Sequence, residues 1–131
     1  MCIFCDIRDG KIPSYKVYED ESVLAFLDTA QVTKGHTLVV PKKHATDFMD
    51  VDPETMHHVM DVAQQLAKHI QKTFGAAGMN ILSNVGEAAG QSVQHFHVHL
   101  IPRYDENDAC IIAFNESEKQ DMDALLAQLK Q

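Results

Sequence analysis

From residue 53 to residue 74 the apolar positions recur at helical spacing. Met56, Val59, Met60, Ala63, Leu66, Ala67, Ile70 and Phe74 form one stripe, as expected of a helix that lays one face on a core. Asp52 is a good N-cap, Pro53 suits the first helical position, and Gly75 supplies the stop. His57, His58 and His69 fall among Asp61, Gln65, Lys68 and Lys72 on the other side, where they are expected to be solvated. Elsewhere the period is two. Tyr15 to Glu19 alternates as a strand does, Glu19 to Ser22 makes a polar turn, and Val23 to Leu27 resumes extended structure. After a loop through Lys34 and Gly35, the run His36 to Val40 predicts a strand that Pro41 stops. Met79 to Asn84 and Gln94 to Ile101 predict two more, separated by the glycine-rich segment Val85 to Ser92. Cys5 to Gly10 reads as a turn or a single helical turn. Ser117 with Gln120 resembles a capping box ahead of an amphipathic helix bearing Met122, Leu125, Leu126 and Leu129. Five strands and two main helices out of regular alternation predict an α+β domain on an antiparallel sheet. The pattern leaves strand order open.

The 131 residues suit one domain, residues 1–131, with one ordinary core. A formal charge of −8 argues against a general nucleic-acid or membrane-surface binder. It does not exclude a small phosphorylated ligand, which a few local donors can hold. No apolar run approaches the ~20 residues needed to cross a bilayer. The start, Met1-Cys2-Ile3-Phe4-Cys5-Asp6, has no signal-peptide pattern. The expectation is a cytoplasmic protein whose three cysteines stay reduced.

Candidate chemistry concentrates in His95-Phe96-His97-Val98-His99. On a strand, period two would point three imidazoles one way and Phe96, Val98 and Leu100 the other. A lone histidine on an apolar face is usually a satisfied core group. Three beside a glycine-rich loop call for chemistry, either nucleophilic catalysis or metal ligation. In Gly90-Gln91-Ser92 the backbone can approach a phosphate closely. There is no Gly-x-x-x-x-Gly-Lys segment, so this is not a P-loop. Cys2-x-x-Cys5 suggests zinc, or else a pair of structural thiols, since no thioredoxin-like context surrounds it. Cys110 has no partner at ligand spacing and is expected to pack as a small hydrophobe.

The run His95 to Ile101 also matches the signature of the histidine triad superfamily, in which histidines and apolar residues alternate. With Cys2-Ile-Phe-Cys-Asp-Ile, Leu24 to Asp28, Gly35 to His44 and Gly86 to Val93, the chain resembles the Hint branch, and most of all bacterial zinc-containing Hit proteins. The resemblance implies a homodimeric α+β fold with one sheet continued across two subunits. It also implies hydrolysis of purine nucleotides through a covalent nucleotidyl-histidine, as in an adenosine 5′-monophosphoramidase. Nucleoside 5′-phosphoramidates and dinucleoside polyphosphates are both open as substrates. The alternative is a nucleotide-binding or zinc-stabilised interaction protein whose hydrolysis is incidental. The related uridylyltransferase branch carries glutamine where this chain has His99, which favours hydrolysis over transfer.

Residue by residue, the resemblance makes His97 the nucleophile, with its far ring nitrogen donating to the carbonyl of His95. His99 would bind a phosphoryl oxygen or the bridging atom, and Ser92 would position the leaving group and relay its proton. Asn84 would hold the phosphate or ribose side, with Gly90 and Gln91 near the phosphate. His36 is either a supporting catalytic histidine or a buried structural one. Asp28 would accept from the ribose hydroxyls, Phe4, Ile7 and Phe26 would wall the base pocket, and Thr29 would edge it. Cys2, Cys5, His44 and His95 occupy the zinc-ligand positions, and a closed set of four implies a structural ion. Activity should fall as pH drops through about 6.5, because a protonated imidazole cannot attack. Lys34, Val85 and Gln94 depart from common family residues, Gln94 replacing a frequent aromatic.

Overall fold

The computed structural model describes residues 1–130. In chain order the elements are α1 (Ile3–Arg8), β1 (Lys16–Glu19), β2 (Val23–Leu27), β3 (Thr37–Pro41) and α2 (Pro53–Phe74). They continue with β4 (Gly78–Leu82), a 3-10 turn at Glu87–Ala89, β5 (Val98–Arg103) and α3 (Met122–Leu129). The five strands form one antiparallel sheet in the order β1-β2-β3-β5-β4, the α+β architecture that the pattern predicts.

The ends of α2 are set by local chemistry. The Asp52 carboxylate accepts from the Thr55 N–H at 3.0 Å, and Gly75, at φ +66°, donates its N–H to the Gln71 carbonyl. The buried face of α2 is Val59, Val62, Ala63 and Ile70, packed on Val23, Ala25, Val39, Val98 and Leu100 of the sheet and on Phe96 just before β5. Val62 lies outside the sequence stripe, whereas Met60 and Phe74, at its margins, are 38% exposed. The opposite face of the sheet, Leu24, Phe26, Leu38 and Val40, packs against Phe4 and Ile7 of α1. Strands β2 and β3 are therefore covered on both sides, which is why they read as unbroken apolar runs rather than alternation. Their burial places α1, and with it Cys2 and Cys5, beside the segment that carries the histidines.

Several boundaries differ from expectation. The helix at the start begins at Ile3 because Cys2 is its N-cap, the Cys2 sulfur accepting from the Cys5 N–H at 3.3 Å. The strand expected over Gln94 to Ile101 instead covers Val98–Arg103. Val98 pairs with Val39, and the next N–H toward the N-terminus that would need a partner faces Pro41, which has none to return. Phe96 gives its N–H to the Ala45 carbonyl, at 2.7 Å, and leaves the ladder. Pro41 itself ends β3 inside the strand, opposite Val23. Strand β4 stops at Leu82, before Ser83 and Asn84. Ser117 caps no helix; Asp121 caps α3, accepting from the Ala124 N–H. No residue of α3 is buried, and Leu129 is 84% exposed. His58 is not simply solvated, since its Nε2 lies 2.8 Å from an Asp20 carboxylate oxygen. Among the described residues no helix is long and apolar enough to cross a membrane.

Candidate functional site

Although only His99 of the three histidines lies in β5, the alternation outlasts the ladder. Phe96, Val98 and Leu100 point into the core under α2. His95 and His97 point the other way and meet the Phe4 ring edge-on, at centroid distances of 5.8 and 5.1 Å. Side-chain bonds replace the missing ladder. The Ser83 hydroxyl donates to the His97 carbonyl at 2.7 Å, a contact hidden from the sequence because Ser83 reads there as one more strand residue.

The tautomers follow from the acceptors. The His97 Nδ1–H donates to the His95 carbonyl at 2.7 Å, which leaves Nε2 with its lone pair. The His95 Nε2–H donates to the Pro41 carbonyl at 2.8 Å, so its Nδ1 carries the lone pair. That Nδ1 stands 3.3 Å from the Cys2 sulfur, 3.6 Å from the Cys5 sulfur and 3.1 Å from His44 Nδ1. All four atoms lie within 4.8 Å of one another. A tetrahedral zinc with bonds of about 2.0–2.3 Å needs ligand separations of roughly 3.3–3.8 Å, so the donor set fits the ion. Burial pushes His95 down to about 4 and keeps it in its ligand form. Burial also pushes the Cys5 thiol up, helped by the neighbouring Cys2, a penalty on two adjacent thiolates that a cation would remove.

His36, 3% exposed, faces His99 with Nε2 to Nδ1 at 2.9 Å, and its own Nδ1 has no hydrogen-bond partner among the described residues. A buried N–H without an acceptor is the costlier orphan, so the His36 proton belongs on Nε2, donated to His99. His99 then turns an N–H of its Nε2 outward. Asp28, whose carboxylate lies 3.7 Å from His36, makes a second cluster with these two rings. With its proton on Nε2, however, His36 has no lone pair to offer a cation there. Burial, reinforced by His97 and His36, pushes His99 down to about 4. Burial likewise lowers His97, against the raising effects of the His95 carbonyl and Asp28.

The lowering of His97 moves the pH expectation drawn from sequence toward acid. A depressed pKa leaves the ring neutral further into acid. The acid limb of kcat/KM should therefore lie below pH 6.5, with rate lost as pH falls through the folded value. A pH–rate profile whose limb sits at or above 6.5 would contradict this.

A cavity of about 410 Å³ joins most of these groups. Phe4, Ile7, Phe26, Asp28, Thr29, Ser92, His97 and His99 all line it. Asn84, Gly90, Gln91 and His36 are outside its lining. Gln91 is buried, and its amide is engaged by the Gly86 N–H and by the Thr46 and Val93 carbonyls, so it braces the glycine-rich loop. Gly90, at φ +100°, leaves room where a Cβ would come 3.4 Å from the Asn84 amide nitrogen. Gln31, which nothing in the sequence singles out, ties the Asp28 and His36 carbonyls together at 2.6 and 2.7 Å and sets the loop that carries Asp28. Cys110 is half-buried, and its carbonyl accepts from Arg103.

Comparison with known proteins decides the kinship. A family model described as the HIT domain matches residues 9–106. The chain belongs to the HIT family. It is 52% identical to Protein hit of Bacillus subtilis over 107 residues, 82% of this chain and 74% of that one. A HIT family crystal structure from Bacillus anthracis superimposes with a TM-score of 0.92 at 49% identity, covering 98% and 92% of the two chains. A histidine triad nucleotide-binding protein of Candida albicans gives 0.86 at 32%, covering 99% and 93%. A HIT family hydrolase of Clostridium thermocellum gives 0.70 at 31%, covering 81% and 93%. The HIT match starts beyond Cys2 and Cys5, so the two thiols of the Cys2–Cys5–His44–His95 group lie outside it, whereas His44, His95 and the other triad histidines lie within.

Proposed function

We propose that this HIT protein is a nucleotide-binding hydrolase that cleaves purine nucleoside 5′-phosphoramidates at the α-phosphorus through a nucleotidyl-His97 intermediate. The observation that carries the reading is the His97 Nδ1–H bond to the His95 carbonyl, which leaves the Nε2 lone pair beside the cavity. Nε2 attacks phosphorus, a P–N bond to the ring forms, and the bond to the leaving amine breaks. The imidazolium so formed keeps its Nδ1–H on the same carbonyl. The His99 N–H binds a phosphoryl oxygen, and the Ser92 hydroxyl passes its proton to the departing amine while taking another from solvent water. Water then attacks phosphorus, the bond to His97 breaks and the nucleotide leaves. Phe4, Ile7 and Phe26 hold the base, Thr29 its edge, and Asp28 the ribose hydroxyls. Asn84, Gly90 and Gln91 shape the loop around the phosphate, and His36 sets the tautomer of His99.

Charge separates the two substrate classes. Among the described residues, Asp28 is the one charged side chain lining the cavity, on a chain of formal charge −8. A polyphosphate would bring several negative charges to a site with no lysine or arginine, whereas a phosphoramidate brings one. Adenosine 5′-phosphoramidate should therefore exceed a dinucleoside polyphosphate in kcat/KM by at least about 100-fold, or roughly 2.7 kcal/mol. Equal values in that competition would overturn the assignment. Tight nucleotide binding with no turnover of any leaving group would establish an interaction protein instead.

Zinc belongs to the same proposal, held by Cys2, Cys5, His44 and His95. Four protein ligands leave no open position, so the ion supplies rigidity and not reactivity. Reduced thiols there accord with a cytoplasmic setting. The homodimer is supported by the open sheet edge at β4, with Ile81 51% exposed on it, and by the uncovered apolar residues of α3.

A further inference from the structure

The proposed function uses Cys2 and Cys5 as ligands, yet their placement supports a second chemistry. Cys2 is the N-cap of α1 and Cys5 is the third residue of its first turn. Helix geometry sets Cα atoms three residues apart at about 5 Å, inside the roughly 4.4–6.8 Å that a disulfide spans. The two sulfurs bracket one nitrogen, His95 Nδ1, at 3.3 and 3.6 Å, and lie within 4.8 Å of one another. Rotation about the Cα–Cβ bonds joins them without breaking the helix. They are also within reach of a small solute. Each is half-buried, and both line an open groove of about 680 Å³ together with His44 and Ser92. Cys110 is not in this cluster.

We propose that Cys2 and Cys5 are a reversible oxidation site, where a peroxide converts the thiolate pair to a disulfide and so releases the metal. The thiol pairing stands on the geometry, whereas the release rests on the proposed zinc site and its effect on turnover on the proposed hydrolysis. One thiolate attacks a peroxide oxygen, the O–O bond breaks, a sulfenic acid forms and hydroxide leaves. The second thiolate attacks that sulfur, the S–S bond forms, the S–O bond breaks and a second hydroxide leaves. Two electrons pass from the sulfurs to the peroxide, and two solvent protons turn the hydroxides into water. A disulfide carries no thiolate for a cation, so four ligands become two. Of these, His44 is exposed, whereas His95 is 1% exposed and held by the Pro41 carbonyl at 2.8 Å. His44 is therefore the ligand that swings away. The segment bearing His95 and His97 then keeps its tie to β3 and loses its tie to α1. His97 takes its orientation from the His95 carbonyl, so the oxidation reaches the nucleophile. In a reducing compartment such a bond is transient, which suits a sensor and not a staple.

The test treats the zinc-loaded full chain with hydrogen peroxide. It follows free thiols with a chromogenic reagent, released zinc with a metal-sensitive dye, and the tryptic peptide ending at Arg8 by mass. Two of the three thiols should disappear, about one equivalent of zinc should appear for that pair, and the peptide should become lighter by two hydrogen atoms. A thiol reductant with added zinc should reverse all three changes. On adenosine 5′-phosphoramidate kcat should fall about tenfold on oxidation and recover on reduction. Cys110→Ser should behave as the parent does, and Cys5→Ser should form no bond within the peptide. Three intact thiols, oxygen added to the peptide in place of the bond, or a bond to Cys110 would overturn the site. A Cys2–Cys5 bond in protein that never held zinc would support the thiol pairing and overturn the metal release. Zinc release with kcat unchanged would overturn the link to His97. Absence of turnover before oxidation would overturn the proposed hydrolysis and leave the thiol and zinc readouts to decide the oxidation site.

Discussion

Substitution of His97 by alanine is expected to lower kcat/KM for a nucleoside phosphoramidate by about 10⁴-fold or more and to abolish trapping of a labelled nucleotidyl-enzyme. The expected size follows from the number of roles lost at once. In the proposed mechanism the ring supplies the attacking lone pair, and its Nδ1–H, held at 2.7 Å by the His95 carbonyl, stabilises the charge that appears on it during attack. Neither role has a substitute nearby. His99 accepts from His36 at Nδ1 and presents an N–H rather than a lone pair. Water can still attack a bound substrate in the variant, aided by the remaining donors, so a low residual rate without an intermediate is expected. Quenching should be at neutral or alkaline pH, because a phosphohistidine bond is labile in acid. A thermal melt on the same sample guards against loss of fold, since His97 is buried against Phe4. Trapped label in His97→Ala at the parent's level would remove the mechanism.

Removal of the metal should produce the largest stability effect. Purified protein is expected to carry about one equivalent of zinc, and a strong chelator should lower Tm by roughly 15 °C. An ion present at 1,000 times its Kd stabilises a fold by about 4 kcal/mol. In a domain of this size about 1 kcal/mol moves Tm by several degrees. Cys2→Ser should lose the ion and reproduce the shift, because Cys2 is both a proposed ligand and the cap of α1. The catalytic consequence is transmitted through the backbone. In the proposed site His95 would offer its ring to the metal, and its carbonyl accepts from His97. A loosened His95 therefore loosens the nucleophile, and kcat should fall more than affinity for the nucleotide. Protein that contains no zinc and melts at the same temperature with and without chelator would refute the site.

The reading of particular residues shows what local pattern can carry. The caps and stripe of α2 were legible because Asp52, Pro53 and Gly75 act through bonds within one turn of themselves. The run Val23 to Leu27, and the run His36 to Val40 except that Pro41 belongs to the strand and His36 does not, were legible because each is buried on both faces, whatever its partners. The missed boundary at Val98 has a different origin. Whether residue 96 joins a ladder depends on Pro41 and Ala45, more than 50 positions away. Ser117 mimicked a cap because the motif is short, and Asp121, four residues later, makes the actual bond.

At the site the division is equally physical. Composition, periodicity and motif by themselves determined the α+β class, the alternation that separates Phe96 from His95 and His97, and the residue types able to attack phosphorus or bind zinc. These depend on side-chain chemistry and on neighbours one or two positions apart. Only the tertiary structure decided which ring nitrogen is free, because each tautomer is chosen by an acceptor brought from elsewhere: the Pro41 carbonyl for His95 and the His36 ring for His99. It alone turned Gln91 inward as a brace and brought Cys2 and Cys5 to His44 and His95. Hydrogen-bond partners and burial are properties of the folded surroundings, and no spacing along the chain encodes them.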